Sequence, residues 1–196
     1  MLYQISGIVI LAVFYSCYFI KMISQKRKGI TTDQIGKGKI GAVKAIEITM
    51  KIVTYLVPLI EAISILLKTT VFPNWTRIAG VCIGTLGVII FMLSIVTMRD
   101  NWRAGVSETD KTSLVTNGIY QISRNPAFLG FDLVYIGILL IFFNWILLAA
   151  SIFAIVMLHL QIVNVEEDFL ISAFGDEYIE YRQKVRRYIG RKSLKK

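Results

Sequence analysis

Apolar stretches long enough to cross a bilayer recur five times along the chain, separated by polar or basic segments. The first runs from Leu2 to Ile23, and no basic residue precedes Lys21, so we expect a retained helix rather than a cleaved signal peptide. The other four are predicted over Val43 to Leu67, Ile78 to Met98, Ala127 to Phe143 and Trp145 to Val163. This pattern predicts an all-α, polytopic membrane protein with about five transmembrane helices.

The basic residues predict the orientation of these helices, since loops rich in lysine and arginine stay on the cytoplasmic side. Six basic residues and one acid, Asp33, lie in residues 26–44, and eight basic residues without an acid follow Glu180. The segment between the second and third stretches carries only Lys68 and Arg77. We therefore expect an external N-terminus and a cytoplasmic C-terminus, in the cell membrane of a prokaryote.

The composition narrows the partners and cofactors that the chain can use. Hydrophobic residues make up 55% of it and the net charge is +9, so the expected partner is the anionic face of a lipid bilayer and not nucleic acid. His159 is the only histidine, which excludes a multi-histidine metal or haem site, and no metal is predicted. Cys17 and Cys82 lie in apolar stretches and are expected to pack as small hydrophobic side chains. No obligate protein partner is inferred.

Three charged residues stand inside the second apolar stretch. Glu47 and Lys51 are four residues apart, a spacing that places them on one helix face as a candidate ion pair. Glu61 lies deeper, and an acid at that depth is often functional, although a carboxyl group near the interface or facing another helix fits equally well. In the third stretch, Gly80 and Gly84 form a small-xxx-small pattern that permits close helix packing.

Two polar segments flank the hairpin formed by the last two apolar stretches, one over residues 99–126 and the other from His159 to Gly190. Because a tight hairpin returns the chain to the same membrane face, we expect the two segments to be neighbours. In the second segment, His159 and Glu166 share one helix face. Glu167 points about 100° away from Glu166, so only one of the two acids can point into a shared pocket.

The ends of these segments suit a small zwitterion. Pro126 begins the fourth helix, whose free backbone N–H groups favour an anionic group, and Glu166 offers a carboxylate to a cation. A carboxylate near Pro126 and an ammonium near Glu166 would be the two ends of an amino-acid moiety, such as the one in S-adenosylmethionine. A solvated helix end is the alternative interpretation of Glu166 and Glu167.

A set of motifs spans about the last hundred residues: LVTNGIYQISRNP, then a helical hairpin, then EE and FGDEYIEYRQKVRR. Its distinguishing residues are Leu114, Val115, Gly118, Tyr120, Arg124, Pro126, Glu166, Glu167, Phe174, Gly175, Glu177, Tyr178, Tyr181, Val185 and Arg187. With these residues the chain resembles the isoprenylcysteine carboxyl methyltransferase and phospholipid methyltransferase superfamily of membrane enzymes. The length of 196 residues fits a single integral membrane domain. Residues 1–98 would hold three transmembrane helices and a basic loop, and residues 99–196 the cofactor-binding methyltransferase core with its helical hairpin and a C-terminal cytoplasmic helical region.

The resemblance also implies that S-adenosylmethionine is the cofactor, with its adenosine beside residues 112–115 and Tyr120 and its ammonium on Glu166. The implied cofactor-binding residues are Thr112, Ser113, Leu114, Val115, Gly118, Tyr120, Asn125, Pro126, Ala127, Phe128, Glu166 and Glu167. The candidate catalytic residues are Glu166, Arg124 and His159. His159 is the only imidazole that could accept a proton, or it is a packed helix residue bonded to a neighbour.

Two departures from the family pattern affect the acceptor. The usual histidine before the proline is Asn125, which excludes a histidine base at that position. The prenylcysteine enzymes carry arginine shortly before their glutamates, whereas His159 to Val165 contains none. We therefore expect the methyl acceptor to be lipophilic or a small thiol, amine or carboxyl compound, and not a prenylcysteine carboxylate. A membrane reductase of related helical fold that uses NADPH, and a non-catalytic membrane scaffold, are the alternatives.

Overall fold

The computed structural model describes residues 1–106 and 112–192, which fold into helices without a β-sheet. The helices are α1 (Leu2–Arg27), α2 (Gly41–Leu67), α3 (Asn74–Met98), α4 (Pro126–Ile141), α5 (Trp145–Gln161) and α6 (Glu167–Lys184). A π-helical turn, Ile162–Glu166, joins α5 to α6. Short 3₁₀ turns cover Arg99–Asn101 and Gly118–Gln121. The all-α class predicted from the sequence is confirmed.

Four helical stretches among the described residues are long and apolar enough to cross a membrane. They are Leu2–Arg27, Gly41–Leu67, Asn74–Asn101 and Trp145–Lys184. The remaining predicted span, Ala127 to Phe143, corresponds to α4, which is apolar but has only 16 residues. At about 1.5 Å per residue it is roughly 24 Å long, shorter than a hydrocarbon core of about 30 Å.

Helices α3 and α4 pack closely because glycines face each other along their contact. A Cβ atom added to Gly137 of α4 would lie 2.5 Å from the backbone of Gly84 in α3, and one added to Gly80 would lie 2.7 Å from the Gly137 carbonyl oxygen. A Cβ on Gly87 would lie 2.8 Å from the carbonyl oxygen of Gly130. The small-xxx-small pattern of Gly80 and Gly84 therefore serves the close packing expected from the sequence.

Replacing Gly137 with alanine is expected to destabilise the protein by about 1–3 kcal/mol, because the new methyl group would overlap backbone atoms that cannot rotate away. The measurement is the thermal unfolding temperature of the purified protein in detergent. Leu93→Ala, on an exposed face of α3, is the control. An unfolding temperature for Gly137→Ala as high as that of the Leu93 variant would contradict this packing.

Helices α2 and α5 run antiparallel and are joined near both ends. At one end, the Gln161 side-chain amide donates to the Glu47 carboxylate at 3.4 Å. At the other, Asn144 donates to the Ser64 hydroxyl at 2.8 Å.

The prediction of an ion pair between Glu47 and Lys51 is wrong. Lys51 pairs instead with Asp33 of the α1–α2 loop, because that loop folds back over the start of α2.

Candidate active site

The two polar segments flanking the α4–α5 hairpin meet at one end of the helix bundle. The Arg124 backbone N–H donates to the Arg186 carbonyl oxygen at 3.1 Å. The Tyr181 hydroxyl donates to the Tyr120 carbonyl oxygen at 2.6 Å. The end of α6 and the segment after it are therefore bonded to the segment that leads into α4.

A small cavity of about 90 Å³, which we call the polar cavity, lies where these segments meet. Seven of the predicted cofactor-binding or catalytic residues line it: Thr112, Ser113, Leu114, Val115, Tyr120, Arg124 and Glu166. Phe174 and Tyr181 of the motifs line it too, and further apolar wall comes from side chains that the sequence did not single out, including Met98, Phe169 and Leu170. The cavity thus combines an apolar lining with the predicted acid Glu166, the predicted Arg124 and a second arginine, Arg103.

The remaining predicted cofactor residues lie elsewhere. Gly118, Asn125, Pro126 and Glu167 line neither this cavity nor the larger one described below, whereas Ala127 and Phe128 line the larger one. Gly118 has φ +55°, and a Cβ atom there would come within 2.9 Å of Thr97, so a glycine is needed for the turn to pack on α3. The start of α4 therefore does not face the polar cavity, contrary to the sequence-based expectation.

Arg124 is almost fully buried, and its guanidinium group is only partly paired. One terminal nitrogen lies 3.0 Å from Glu167, and the other donates to the Tyr178 hydroxyl at 2.7 Å. The Nε–H has no partner although it is buried. A buried donor without a partner is unfavourable, so this N–H is suited to an anionic group that enters the polar cavity.

Glu166 and Glu167 are adjacent but have different surroundings. The Glu166 carboxylate lines the polar cavity and accepts one long hydrogen bond, at 3.3 Å, from Gln161. Glu167 is buried and accepts two hydrogen bonds from Arg187, at 2.8 and 3.0 Å, besides its ion pair with Arg124. This bonding raises the pKa of Arg187, because the carboxylate stabilises the charged guanidinium. Glu166 is thus available to a ligand, whereas Glu167 holds the arginines.

Tyr120 forms a neutral part of the cavity wall. Its hydroxyl is hydrogen-bonded to Ser94 at 2.8 Å and contacts the Met98 sulfur at 3.3 Å. Burial raises the pKa of Tyr120 to about 12, so it stays protonated at neutral pH. It can contact a ligand or donate a hydrogen bond, but it does not act as a base.

His159 is placed against the C-terminal segment and lines neither cavity. Its Nδ1 atom lies 2.7 Å from the Tyr188 hydroxyl, and the two rings are stacked. The expected shared face of His159 and Glu166 is wrong, because the π-helical turn between them changes the rotation of the chain. Asn125 also contacts this segment, donating to the Arg187 carbonyl oxygen at 3.1 Å. Both side chains therefore anchor the end of the chain.

A second cavity of about 310 Å³, the apolar cavity, lies among α1, α2, α4 and α5. Aromatic and aliphatic side chains form most of its wall, and Asp33, Lys51 and Arg103 lie at its polar end. Its apolar residues are Tyr15, Tyr18, Phe19, Ile35, Met50, Tyr55, Pro58, Leu59, Trp102, Ala104, Ala127, Phe128, Phe131 and Leu158. No sequence motif marks this cavity, because its residues come from several helices and share only an apolar character.

Arg103 and Gly105 line both cavities, so a single short segment separates them. The α1–α2 loop holds this segment in place. The Gln34 N–H donates to the Ala104 carbonyl oxygen at 2.8 Å, and the Ala104 N–H donates to the Thr32 carbonyl oxygen at 3.0 Å. Gly105 has φ +80°, and a Cβ atom there would lie 3.0 Å from the Ile35 nitrogen. The segment that forms the shared wall can pack this closely against Ile35 because Gly105 has no side chain.

A buried hydrogen-bonded chain connects Glu166 to the same loop. The Gln161 amide nitrogen, fully buried, donates to Glu166 and to Glu47, and Glu47 also accepts the backbone N–H of Gly36. Gln161 therefore orients the free acid of the polar cavity and links it to the loop that supports the shared wall. No sequence motif indicates this role of Gln161.

Curated proteins with similar sequences are methyltransferases. The protein-S-isoprenylcysteine O-methyltransferase of Tribolium castaneum is 31% identical over 127 residues, which cover 61% of this chain and 45% of that protein. The enzyme of the same name from Saccharomyces cerevisiae is 42% identical over 72 residues, or 37% of this chain and 30% of that protein. Protein-S-isoprenylcysteine O-methyltransferase B of Arabidopsis thaliana is 29% identical over 136 residues, covering 65% of this chain and 68% of the relative.

The chain thus spans less than half the length of the Tribolium and yeast proteins that it matches. Residues 75–177 match the model of the phospholipid methyltransferase family, a region that runs from α3 into α6 and contains most of the polar cavity. This match covers more than half of the chain. The chain is an integral membrane protein that belongs to the phospholipid methyltransferase family.

Proposed function

We propose that this protein is a membrane methyltransferase that binds S-adenosylmethionine in the polar cavity and a lipophilic acceptor in the apolar cavity. The observation that carries the proposal is that one cavity is lined both by Arg124, whose buried Nε–H has no partner, and by Glu166, whose carboxylate accepts a single long hydrogen bond. These two groups complement the carboxylate and the ammonium of an amino-acid moiety. The family membership and the methyltransferase relatives support the same reaction class.

The residues present fit the cofactor in chemical type. Arg124 would receive its carboxylate, Glu166 its ammonium, and the segment Thr112–Val115 with Tyr120 its adenosine. The cofactor supplies an electrophilic methyl group on a sulfonium sulfur. The cavity volume of about 90 Å³ is well below the roughly 300–1,000 Å³ of typical ligand sites, so the walls must separate when a ligand of this size binds.

The chain's own contribution to methyl transfer would be positioning and the exclusion of water, since an in-line displacement needs no covalent nucleophile on the enzyme. The apolar cavity would hold the acceptor's hydrophobic part, and its reacting group would lie near Arg103 and Gly105, which both cavities share. Arg103 places a guanidinium at this wall. The lack of arginine from His159 to Val165 therefore does not leave the acceptor site without a cation, and an anionic head group also fits here.

The proposed orientation places the polar cavity and the polar end of the apolar cavity on the cytoplasmic side, with the N-terminus outside. The α1–α2 loop, which carries Lys28, Lys37 and Lys39, contacts Ala104 at the shared wall. Cofactor would then enter from the cytosol and acceptor from the bilayer. The division into residues 1–98 and 99–196 and the prokaryotic cell membrane remain predictions.

Binding of S-adenosylhomocysteine to the purified protein, measured by isothermal titration in detergent, tests the cofactor. We expect saturable binding of this product and none of NADPH. Binding of NADPH alone would favour the reductase alternative, and binding of neither would favour a scaffold. Labelled S-adenosylmethionine offered with farnesylcysteine, phosphatidylethanolamine, alkyl thiols and alkyl amines then identifies the acceptor's reacting group.

A further inference from the structure

A group of buried oxygen atoms without hydrogen-bond partners lies in the membrane-spanning part of the bundle. Seven such oxygen atoms occur among the described residues; two are on Asp132 and Gln161, and the other five belong to four side chains on four different helices. They are the hydroxyls of Tyr15 in α1, Tyr135 in α4 and Ser151 in α5, and both carboxylate oxygens of Glu61 in α2. Glu61 and Tyr135 are fully buried and Ser151 is 1% exposed.

Packing and helix register place these groups together. Tyr135 packs in one buried cluster with Val57, one turn from Glu61, and Tyr15 lines the same cavity as Pro58 of α2. The contacts at both ends of the α2–α5 pair place Ser151 level with Val57, about one turn from Glu61. Side chains lean toward the N-terminus of their helix, so Ser151 and Glu61 in these antiparallel helices lean toward each other.

No protein group in the described structure neutralises Glu61. The lysine on the same helix, Lys51, pairs with Asp33, and Arg77 donates to the Ile141 carbonyl oxygen. Neither carboxylate oxygen of Glu61 has a hydrogen-bond donor. An ionised carboxylate at bilayer depth without a partner is costly, and acids in such positions are usually paired or functional.

We propose that Glu61, Tyr15, Tyr135 and Ser151 form a binding site for a small monovalent cation, Na⁺. The donors are all oxygens, which hard cations prefer, and the single carboxylate matches a single positive charge, whereas divalent cations collect several carboxylates. Oxygens that share a cation at about 2.3–2.6 Å can lie up to about 5 Å apart, so they need not bond to one another, and none of these oxygens has a hydrogen-bond partner. The site would tie four helices together.

The site also adjoins the apolar cavity. Tyr15 lines that cavity, and Pro58, one turn from Glu61 in α2, lines it as well. A cation held by Glu61 and Tyr15 would therefore hold the α1 and α2 walls of the cavity in place. The site does not depend on methyl transfer, so it can be tested in protein without cofactor or acceptor.

Thermal unfolding of the purified full-length protein in NaCl, KCl and choline chloride, at equal ionic strength, tests the site. We expect a saturable increase in unfolding temperature with Na⁺, about 3–6 °C at ten times its dissociation constant, and no increase with choline. Equal unfolding temperatures in NaCl and choline chloride would overturn the proposal, because a protonated and neutral Glu61 needs no cation.

Glu61→Gln, which keeps the side chain's size and removes its charge, should abolish the Na⁺ effect. A sodium effect that persists in this variant would also overturn the proposal. Tyr135→Phe removes only one donor oxygen and should shift the Na⁺ titration to higher concentration, so it tests the site even if Glu61→Gln does not fold. A Na⁺ titration of Tyr135→Phe that matches the wild type would overturn the proposal. Glu180→Gln, an exposed acid on α6, is the control and should keep the wild-type Na⁺ response.

Discussion

Replacement of Glu167 by glutamine is expected to destabilise the protein by about 3–5 kcal/mol, the effect of breaking a buried ion pair by removing one partner. The side chains of Glu167 and Arg124 are 5% and 4% exposed, so the remaining guanidinium would stay buried without an anion. Arg187 is 31% exposed and can turn to solvent, so most of the loss should come from Arg124.

The unfolding temperature of the Glu167→Gln variant measures this effect, with Glu177→Gln on the exposed face of α6 as the control. A double variant, Glu167→Gln with Arg124→Gln, should lose less stability than the sum of the losses in the two single variants, because neither charge is then left without its partner. If Glu167→Gln unfolds no earlier than the Glu177 variant, the ion pair does not stabilise the fold.

Hydrophobic length was sufficient to predict α1, α2, α3 and the continuous helical stretch that begins with α5, because each contains an apolar stretch of about the bilayer's thickness. The length of α4 was overestimated, since Ile141 ends the helix while the apolar residues continue through Phe143. Hydropathy cannot distinguish a helix from an equally apolar connection. The close packing of α3 could be predicted because the spacing of Gly80 and Gly84 lies within one helix and can be read from the sequence.

The roles of Glu166 and Glu167 could be predicted only in part. Their adjacency implied that one of them points away from the shared pocket, and the structure identifies Glu166 as the one that lines it. The π-helical turn, which gives Glu166 that direction and separates it from His159, leaves no signal in an α-helical periodicity. The apolar cavity and the role of Gln161 were missed because both depend on contacts between helices distant in sequence.

Replacement of Glu166 by glutamine is expected to weaken S-adenosylhomocysteine binding by about 10–100-fold, the effect of losing a hydrogen bond between charged groups. Its folding stability should change little, because its carboxylate accepts only one long hydrogen bond, from Gln161 at 3.3 Å. This is the opposite of the pattern expected for the neighbouring Glu167. Isothermal titration and unfolding temperature, measured on the same preparations, separate the two roles.

Two further variants distinguish a direct contact from a general disturbance of the site. Asp168→Asn, an exposed acid next in the chain, should bind S-adenosylhomocysteine as the wild type does. Gln161→Met keeps the side chain's approximate size but cannot donate to Glu166 or Glu47, so its affinity should fall between those of the wild type and Glu166→Gln. Equal binding by the Glu166→Gln variant and the wild type would show that Glu166 does not hold the ammonium. A Gln161→Met loss as large as that of Glu166→Gln would mean that the orientation of the carboxylate matters as much as its charge.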